Sequence, residues 1–338
     1  MQDSRAQTNI AVGSSLTATN GNSSWLSPSE DFAFGFGSLS NGDTKNDRLF
    51  LLSIWYNNIP SETIIWFGNQ GRPVPANSKL ELTSGSGLVL TNPQGEELWK
   101  SENISGTVLH AVFNDTGNFV ILDSSSEVLW QSFDNPSDTL LPSQVLGKNI
   151  LLSSRQSEES FSRGRFQLWM LDSGNLVLNT INLPSNYTNE AYYSAKTGSS
   201  NSPTAGKELV FSNSGSLFVS REDGEKVYLS QGKIPSTSDF YHRVTLDFDG
   251  VLTQYVHPKN SGSSGSWRIL WCNLKTYVAM FMSVMELAFV GTTAFANWVR
   301  ITGQSVTAQT NSRCSIPVTS MAVAGLISRR AVRKIRKG

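Results

Sequence analysis

The chain has 338 residues, of which 27 are Lys or Arg and 27 are Asp or Glu, so its formal net charge is zero. With 38% hydrophobic and 16% charged residues, it has enough apolar material for a folded core and too little charge for a disordered chain. The length predicts two or three domains.

The charge is divided unevenly at Trp271. Residues 1–271 hold 18 basic and 26 acidic side chains, a net charge of −8, and residues 272–338 hold nine basic and one acidic. Both cysteines and four of the six methionines also lie after Trp271. The first 271 residues therefore have no disulfide between them, and they must be stabilised by core packing.

Short apolar, β-branched and aromatic runs recur through the first 271 residues. Phe32–Phe36, Leu49–Trp55, Thr63–Phe67 and Phe119–Leu122 are examples, and turns rich in Gly, Asn, Asp and Pro separate them. No long stretch has the 3.6-residue apolar period of a helix. The pattern predicts an all-β fold of the sandwich, barrel or prism type.

An internal repeat strengthens this prediction. Each copy is an apolar–x–apolar strand, a turn with Gly, a second such strand and often a closing aromatic residue; the five copies begin at Leu80, Val112, Leu168, Leu209 and Val244. Gly permits a positive φ in the turn, and alternating apolar residues face one side of a hairpin. One hairpin cannot bury its apolar face alone, so several must pack together.

Four motifs resemble the extracellular part of plant bulb-type (G-type) lectin S-receptor-like serine/threonine-protein kinases. They are Asp31–Phe36, Ile54–Tyr56, Ile65–Phe67 and the long irregular run Trp130–Pro142. The resemblance covers roughly residues 7–271.

This resemblance implies two tandem bulb-type lectin domains with the β-prism II fold, at residues 7–145 and 146–271. In the family a cysteine-rich module, a membrane helix and a kinase follow. No kinase glycine loop or catalytic-loop motif occurs in this chain. The sequence therefore predicts no enzymatic activity, and it predicts no cofactor and no metal site.

The family binds mannose through the motif Gln-x-Asp-x-Asn-x-Val-x-Tyr, and no repeat of this chain keeps it complete. A lost polar group leaves a sugar hydroxyl unpaired, so a partial motif binds worse. Since Asn is a common turn residue, we expect Asn118 and Asn175 to stabilise their hairpins rather than to bind mannose. The candidate positions of this degraded carbohydrate site are Asn114, Asn118, Val120, Asn175, Val177, Asp247, Asp249 and Tyr255.

Four Asn-x-Ser/Thr acceptors predict a glycoprotein, at Asn22, Asn103, Asn114 and Asn186. The resemblance implies an extracellular or plasma-membrane-associated location. The start, Met1–Arg5, has no apolar signal-peptide region. We expect either that an upstream signal is missing from this sequence or that the chain is a non-secreted fragment.

The tail, residues 272–338, has two interpretations. Residues 276–299 are apolar and about long enough to span a bilayer, with a basic segment further on, but Glu286 at the centre costs about 2.5–3.5 kcal/mol. Alternatively, codons compatible with this tail allow a cysteine-rich amino-acid sequence when the reading frame is shifted after Trp271, and that sequence resembles the module expected at this point in the family. We hypothesise that the tail is a frameshifted or mis-spliced product, not homologous to the family or disordered.

The sequence thus predicts a truncated, non-catalytic recognition ectodomain that binds a mannose-type glycan or a protein ligand. The alternatives are a kinase-less membrane-anchored receptor and a protein–protein interaction module with an inactive lectin site. The resemblance implies roles in signal transduction and plant defence, and homo- or hetero-dimers with related receptors. No nucleic-acid partner is predicted, and a membrane is a partner only if 276–299 is a genuine span.

Overall fold

The computed structural model describes residues 7–19, 24–39, 48–60, 62–199, 202–230, 232–260 and 265–273. These residues form strands, turns and two short 3-10 helices, Asn69–Gly71 and Ser132–Asp134, which confirms the all-β prediction. The described part of the chain contains no helix that is long and apolar enough to cross a bilayer. The predictions for Asn22 and for residues 276–299 lie outside the described residues, as does the tail after Asn273.

The strands fall into two sets along the chain. The first strand set is β1 (Gln7–Ala11), β2 (Ser15–Thr17), β3 (Ser24–Leu26), β4 (Phe32–Leu39), β5 (Leu49–Tyr56), β6 (Thr63–Phe67), β7 (Val74–Pro75), β8 (Lys79–Thr83), β9 (Gly87–Thr91), β10 (Glu97–Lys100), β11 (His110–Asn114), β12 (Phe119–Leu122) and β13 (Val128–Gln131). The second strand set is β14 (Thr139–Leu140), β15 (Gln144–Leu146), β16 (Leu151–Arg155), β17 (Arg163–Met170), β18 (Leu176–Asn182), β19 (Tyr187–Ser194), β20 (Gly206–Phe211), β21 (Leu217–Arg221), β22 (Lys226–Tyr228), β23 (Phe240–Leu246), β24 (Leu252–Pro258) and β25 (Arg268–Cys272).

Each set builds three antiparallel sheets with the same topology. In the first set the sheet orders are β1-β11-β12-β13, β2-β8-β9-β10 and β3-β4-β5-β6, with β7 added on β5. In the second set they are β14-β23-β24-β25, β15-β20-β21-β22 and β16-β17-β18-β19. Three consecutive short strands open each set, and each supplies the edge of a different sheet. The architecture is therefore a tandem β-prism.

The repeat hairpins form the middle of these sheets. Gly117, in the tight turn between β11 and β12, has φ +81°, and an added Cβ would meet the Leu141 side chain at 2.7 Å. Only glycine combines that backbone with that close approach. The equivalent Gly174, Gly215 and Gly250 also have positive φ, which confirms the predicted role of glycine in the repeat.

The core of the first set is aromatic. Phe34 is fully buried, and its ring stacks on Phe119 at 4.4 Å and on Trp25 at 5.8 Å between centroids. Such pairs add stabilisation beyond the area that they bury. The core of the second set is mainly aliphatic, with Leu178 and Leu209 fully buried, and it also contains the fully buried ring of Phe211.

The two strand sets contact each other along a surface that we call the seam. The hydroxyl of Tyr56 donates to the carbonyl of His242 at 2.8 Å, and Trp267 Nε1 donates to Thr63 Oγ1 at 2.9 Å. Gly71 packs so closely on Phe161 that a Cβ there would lie 1.9 Å from the Phe161 carbonyl oxygen. The seam is therefore tight and partly polar.

Candidate functional site

The motif positions of the fifth repeat come together on β23, β24 and their turn. The Tyr255 hydroxyl, at the last motif position, donates to Asp247 Oδ2, at the first, with a distance of 2.7 Å. Asp249 Oδ1 accepts from the backbone N–H of Val251 at 3.1 Å. The Asp247 carboxylate and the buried Tyr255 phenol are therefore paired, and Asp249 lies two residues from Asp247 in the same turn.

Arg243, a residue that the sequence did not point to, supports this group. Its side chain is buried, and Cζ lies 4.1 Å from the ring centroid of Tyr255 and 4.7 Å from that of Trp267. Its Nη1 donates to Thr245 Oγ1. A guanidinium held between two aromatic faces gains cation–π attraction, which is stronger where water is excluded. Arg243 thus fixes the orientation of Tyr255.

Burial dominates the electrostatics of the fifth repeat. It raises the pKa of Asp247 to about 6, although the Tyr255 hydrogen bond and the positive charge of Arg243 both act to lower it. Burial also raises the pKa of Asp249 and lowers that of Arg243. Each shift follows from the unfavourable transfer of a charged group out of water. Asp247 therefore changes its charge in the mildly acidic range.

The second repeat uses its motif asparagines within the protein. Asn118 is buried; its Nδ2 donates to Gln131 Oε1 at 2.8 Å, while its Oδ1 accepts from the Ser132 hydroxyl at 3.1 Å and from the Phe133 N–H at 3.2 Å. Asn114 Oδ1 accepts from the N–H and the hydroxyl of Thr116. The neighbouring Val120 is 7% exposed. This geometry supports a hairpin-stabilising role for Asn118.

The third repeat repeats this arrangement. Asn175 exchanges hydrogen bonds with the Ser194 hydroxyl, at 3.0 and 3.1 Å, and its Oδ1 also accepts from the N–H of Thr197 at 3.2 Å. Val177, two positions on, is buried. Asn175 and Asn118 therefore both link the start of a hairpin strand to the segment that follows the hairpin.

A hydroxyl after four of the five repeat hairpins makes a second link that sequence reasoning missed. The oxygens of Ser101, Ser132 and Ser230 accept from the N–H groups of Leu88, Phe119 and Leu217, at 3.0, 3.0 and 3.3 Å. Thr197 does the same for Leu176 at 3.2 Å. In the three serine cases the offset along the chain is 13 residues. That constant offset is the signal that could have revealed them.

Replacement of Asn118 tests the hairpin role. In Asn118→Ala, the Phe133 N–H and the Ser132 hydroxyl lose their acceptor in a buried place, so we expect the free energy of unfolding to fall by about 1–3 kcal/mol. Urea denaturation measures this loss. The matched control is Asn57→Ala, because Asn57 is exposed and donates one bond to the Glu30 carbonyl. Its expected change is within about 0.5 kcal/mol; equal losses in the two variants would contradict the assignment.

The predicted glycosylation sites differ in accessibility. Asn103 and Asn186 are exposed, with φ +61° and +58°, and both occupy turns or irregular backbone. Asn114 is only half-exposed, and its side chain is tied to Thr116. Surface turns are where glycan acceptors are usable. No group of three metal-ligating side chains lies together in the described part of the chain.

The sequence of this chain is similar to those of known proteins. Residues 63–163, from β6 to the start of β17, match the family model described as D-mannose binding lectin. The chain is 38% identical over 279 residues to the G-type lectin S-receptor-like serine/threonine-protein kinase LECRK2 of Oryza sativa subsp. indica, a match that covers 80% of this chain and 33% of that protein. These matches confirm the resemblance drawn from the motifs.

Two further proteins extend the comparison. The G-type lectin S-receptor-like serine/threonine-protein kinase RLK1 of Arabidopsis thaliana is 41% identical over 231 residues, with 64% of this chain and 27% of that protein covered. A solved monomeric monocot mannose-binding lectin from Gastrodia elata is 20% identical, with 40% of this chain and 94% of that chain covered and a TM-score of 0.27. The chain spans about a third or less of the length of the two receptor-like kinases.

Proposed function

Because this chain is related to the G-type lectin S-receptor-like kinases and carries a D-mannose binding lectin domain, we propose that it is a non-catalytic glycan-recognition ectodomain. The lectin match over residues 63–163 is the observation that carries the proposal. The ligand we propose is a mannose-type glycan. The location we propose is extracellular or at the plasma membrane, with glycans on Asn103 and Asn186.

We further propose that each strand set is one lectin-like unit. Strand pairing supports this division, because each set completes its three sheets from its own strands. On this basis the boundary lies between β13 and β14, several residues before the position 145 expected from the sequence. β14 and β15 pair with β23 and β20, which belong to the second set.

Among the motif positions, those of the fifth repeat best suit a sugar. Asp249 is half-buried and has a second carboxylate oxygen beside the one that accepts from Val251, and carboxylate oxygens accept hydrogen bonds from sugar hydroxyls; the Tyr255 hydroxyl is buried and bonded to Asp247. Asn118 and Asn175, in contrast, use both the nitrogen and the oxygen of their side-chain amides inside the protein. We therefore propose weak carbohydrate binding centred on the fifth repeat.

A glycan array probed with the full chain tests this proposal. We expect mannose-dependent binding that Asp249→Ala weakens by about tenfold, which corresponds to the loss of about 1.4 kcal/mol of binding free energy. Asp123→Ala is the matched control, since Asp123 likewise accepts backbone N–H groups in an exposed hairpin turn, from Ser125 and Glu127. Binding that is insensitive to free mannose, or that both variants lose equally, would overturn the proposal.

The competing function is a protein–protein interaction module with an inactive lectin site. The observation that favours it is the internal use of the Asn118 and Asn175 amides. It predicts an empty glycan array together with a folded chain. A membrane-anchored receptor without a kinase depends on residues 276–299, which lie outside the described residues.

A further inference from the structure

The seam encloses a cavity of about 250 Å³ that the motif positions do not line. Its floor is made by Trp66 on β6, Trp99 on β10 and Trp130 on β13, so each sheet of the first set contributes one indole. The opposite wall comes from the second set and includes Ser153 on β16 and Arg163 on β17. We call this cavity the seam pocket.

The three indoles form a rigid aromatic surface. Their ring centroids are 6.1–6.4 Å apart, with interplanar angles of 66–78°. Trp66 and Trp130 are buried, whereas Trp99 is only partly buried at the pocket. Packed edge-to-face rings hold one another in place, so a ligand would meet a preformed surface.

Hydrogen-bonding groups around these rings are unused. Trp66 Nε1 donates to the Asn135 carbonyl at 2.7 Å, but the indole N–H groups of Trp99 and Trp130 have no acceptor among the described residues. The hydroxyl of Ser137, which also lines the pocket, is buried with no partner in the same part of the chain. Buried polar groups are normally paired, so the unpaired buried hydroxyl of Ser137 points to a polar ligand in this cavity, and the indole N–H groups of Trp99 and Trp130 are further donors for it.

The rim of the seam pocket is backbone held in an uncommon conformation. Asn69, Gln70 and Gly71 have φ of +50°, +54° and +71° in succession. Residues other than glycine rarely adopt this region, and such strain is found at ligand clamps where the surrounding structure enforces it. The turn places the exposed side chain of Gln70 beside the cavity. Gln70 Oε1 accepts from Arg72 Nη2 at 3.3 Å, so its amide N–H groups remain for a ligand hydroxyl.

We propose that the seam pocket binds one pyranose ring. A pyranose combines an apolar C–H face, which packs on indole, with hydroxyls that pair with unused donors and acceptors. The cavity is smaller than the about 300–1,000 Å³ that drug-sized ligands occupy, which fits a single ring. The site goes beyond the proposed lectin function, because it shares no residue with the motif positions.

The ring can come from a free glycan or from the glycan of this chain. Glu102 lines the seam pocket, and the next residue, Asn103, is exposed and begins an Asn-x-Ser acceptor. A sugar attached there would lie beside the pocket mouth. Both sources present the same pyranose chemistry, and the experiment below separates them.

The test uses the full chain without N-glycans, titrated with methyl α-mannopyranoside and with methyl N-acetyl-β-glucosaminide. Tryptophan fluorescence and saturation-transfer NMR report binding. We expect saturable millimolar binding of at least one glycoside, weakened tenfold or more in Trp99→Leu. In Ser137→Ala we expect a few-fold weakening with unchanged thermal stability, because the hydroxyl removed has no partner in the protein. Trp169→Leu is the matched control, since Trp169 does not line the pocket.

The outcomes separate this site from the lectin motif. Binding that Trp99→Leu and Ser137→Ala weaken but Asp249→Ala does not supports the seam pocket. If only Asp249→Ala weakens binding, the seam-pocket proposal is overturned and the lectin proposal stands. The same conclusion follows if the glycan array shows binding but neither fluorescence nor NMR responds to the glycosides. The same titration is repeated with the N-glycosylated chain. If glycosylation abolishes glycoside binding and Asn103→Gln restores it, the attached sugar is the occupant. If the glycosylated and the non-glycosylated chain bind the glycoside equally, the ligand is a free glycan.

Discussion

Gly71→Ala is expected to lower the free energy of unfolding by about 2–5 kcal/mol. The new Cβ would lie 1.9 Å from the Phe161 carbonyl oxygen and 2.4 Å from its carbon, and both are backbone atoms that cannot rotate away. Overpacking of this kind costs about 1–3 kcal/mol. Alanine at φ +71° adds about 1–2 kcal/mol. Guanidinium denaturation, followed by tryptophan fluorescence, measures the total.

Gly95→Ala is the matched control for this substitution. Gly95 has φ +86°, and an added Cβ there would meet nothing within 4 Å. The control therefore measures only the cost of placing alanine at a positive φ. The difference between the two variants is the cost of packing the added Cβ against Phe161 at the seam. If the strand sets are separate folding units, Gly71→Ala should also split one transition into two. Equal losses of unfolding free energy in Gly71→Ala and Gly95→Ala would show that the seam accommodates the added methyl group at no cost in stability.

The sequence predicted the hairpins of the fold because their signals are local. Gly117 and the apolar alternation on both sides of it lie within one short segment, and the positive φ follows from the residue type. The edge strands were not predictable in this way. Gln7–Ala11 pairs with His110–Asn114, a partner that no local pattern specifies, since closing so long a loop depends on the whole set.

The candidate site likewise has residues that local spacing predicted and residues whose position depends on distant segments of the chain. The motif spacing identified Asp247 and Tyr255, because they lie on one hairpin, and the structure brings them into contact. Arg243 was not identified, since a single basic residue in a strand usually predicts a solvated face. Its burial against Tyr255 and Trp267 depends on β25 and on the segment before it. The seam pocket was equally hidden, because its walls come from both strand sets.

The second large effect concerns Arg243. In Arg243→Met a buried cation that stabilises the charge of Asp247 is removed together with its aromatic contacts, and we expect the free energy of unfolding to fall by up to about 3 kcal/mol. We expect that loss at pH 8, where Asp247 is ionised. Arg243→Lys is the matched control, because it keeps the positive charge and loses the flat stacking on Tyr255 and Trp267.

The pH dependence of this loss follows from the pKa of Asp247, which is raised to about 6 by burial even with Arg243 present. Without Arg243 it rises further, so above pH 6 the folded variant holds a proton that the unfolded chain, with an ordinary carboxyl pKa near 4, has released. Stability of the variant relative to the wild type then falls as pH rises from 6, by up to about 1.4 kcal/mol per pH unit. Below pH 6 both folded proteins carry the proton, and the residual loss reflects the missing stacking and the Thr245 hydrogen bond.

His242, whose pKa burial lowers to about 4, destabilises both proteins alike as pH falls, so its contribution cancels in the difference. Urea denaturation of the wild type, Arg243→Met and Arg243→Lys at pH 5, 6, 7 and 8 measures these differences. A loss in Arg243→Met that is the same at every pH would mean that Arg243 acts through packing alone and does not stabilise the charge of Asp247.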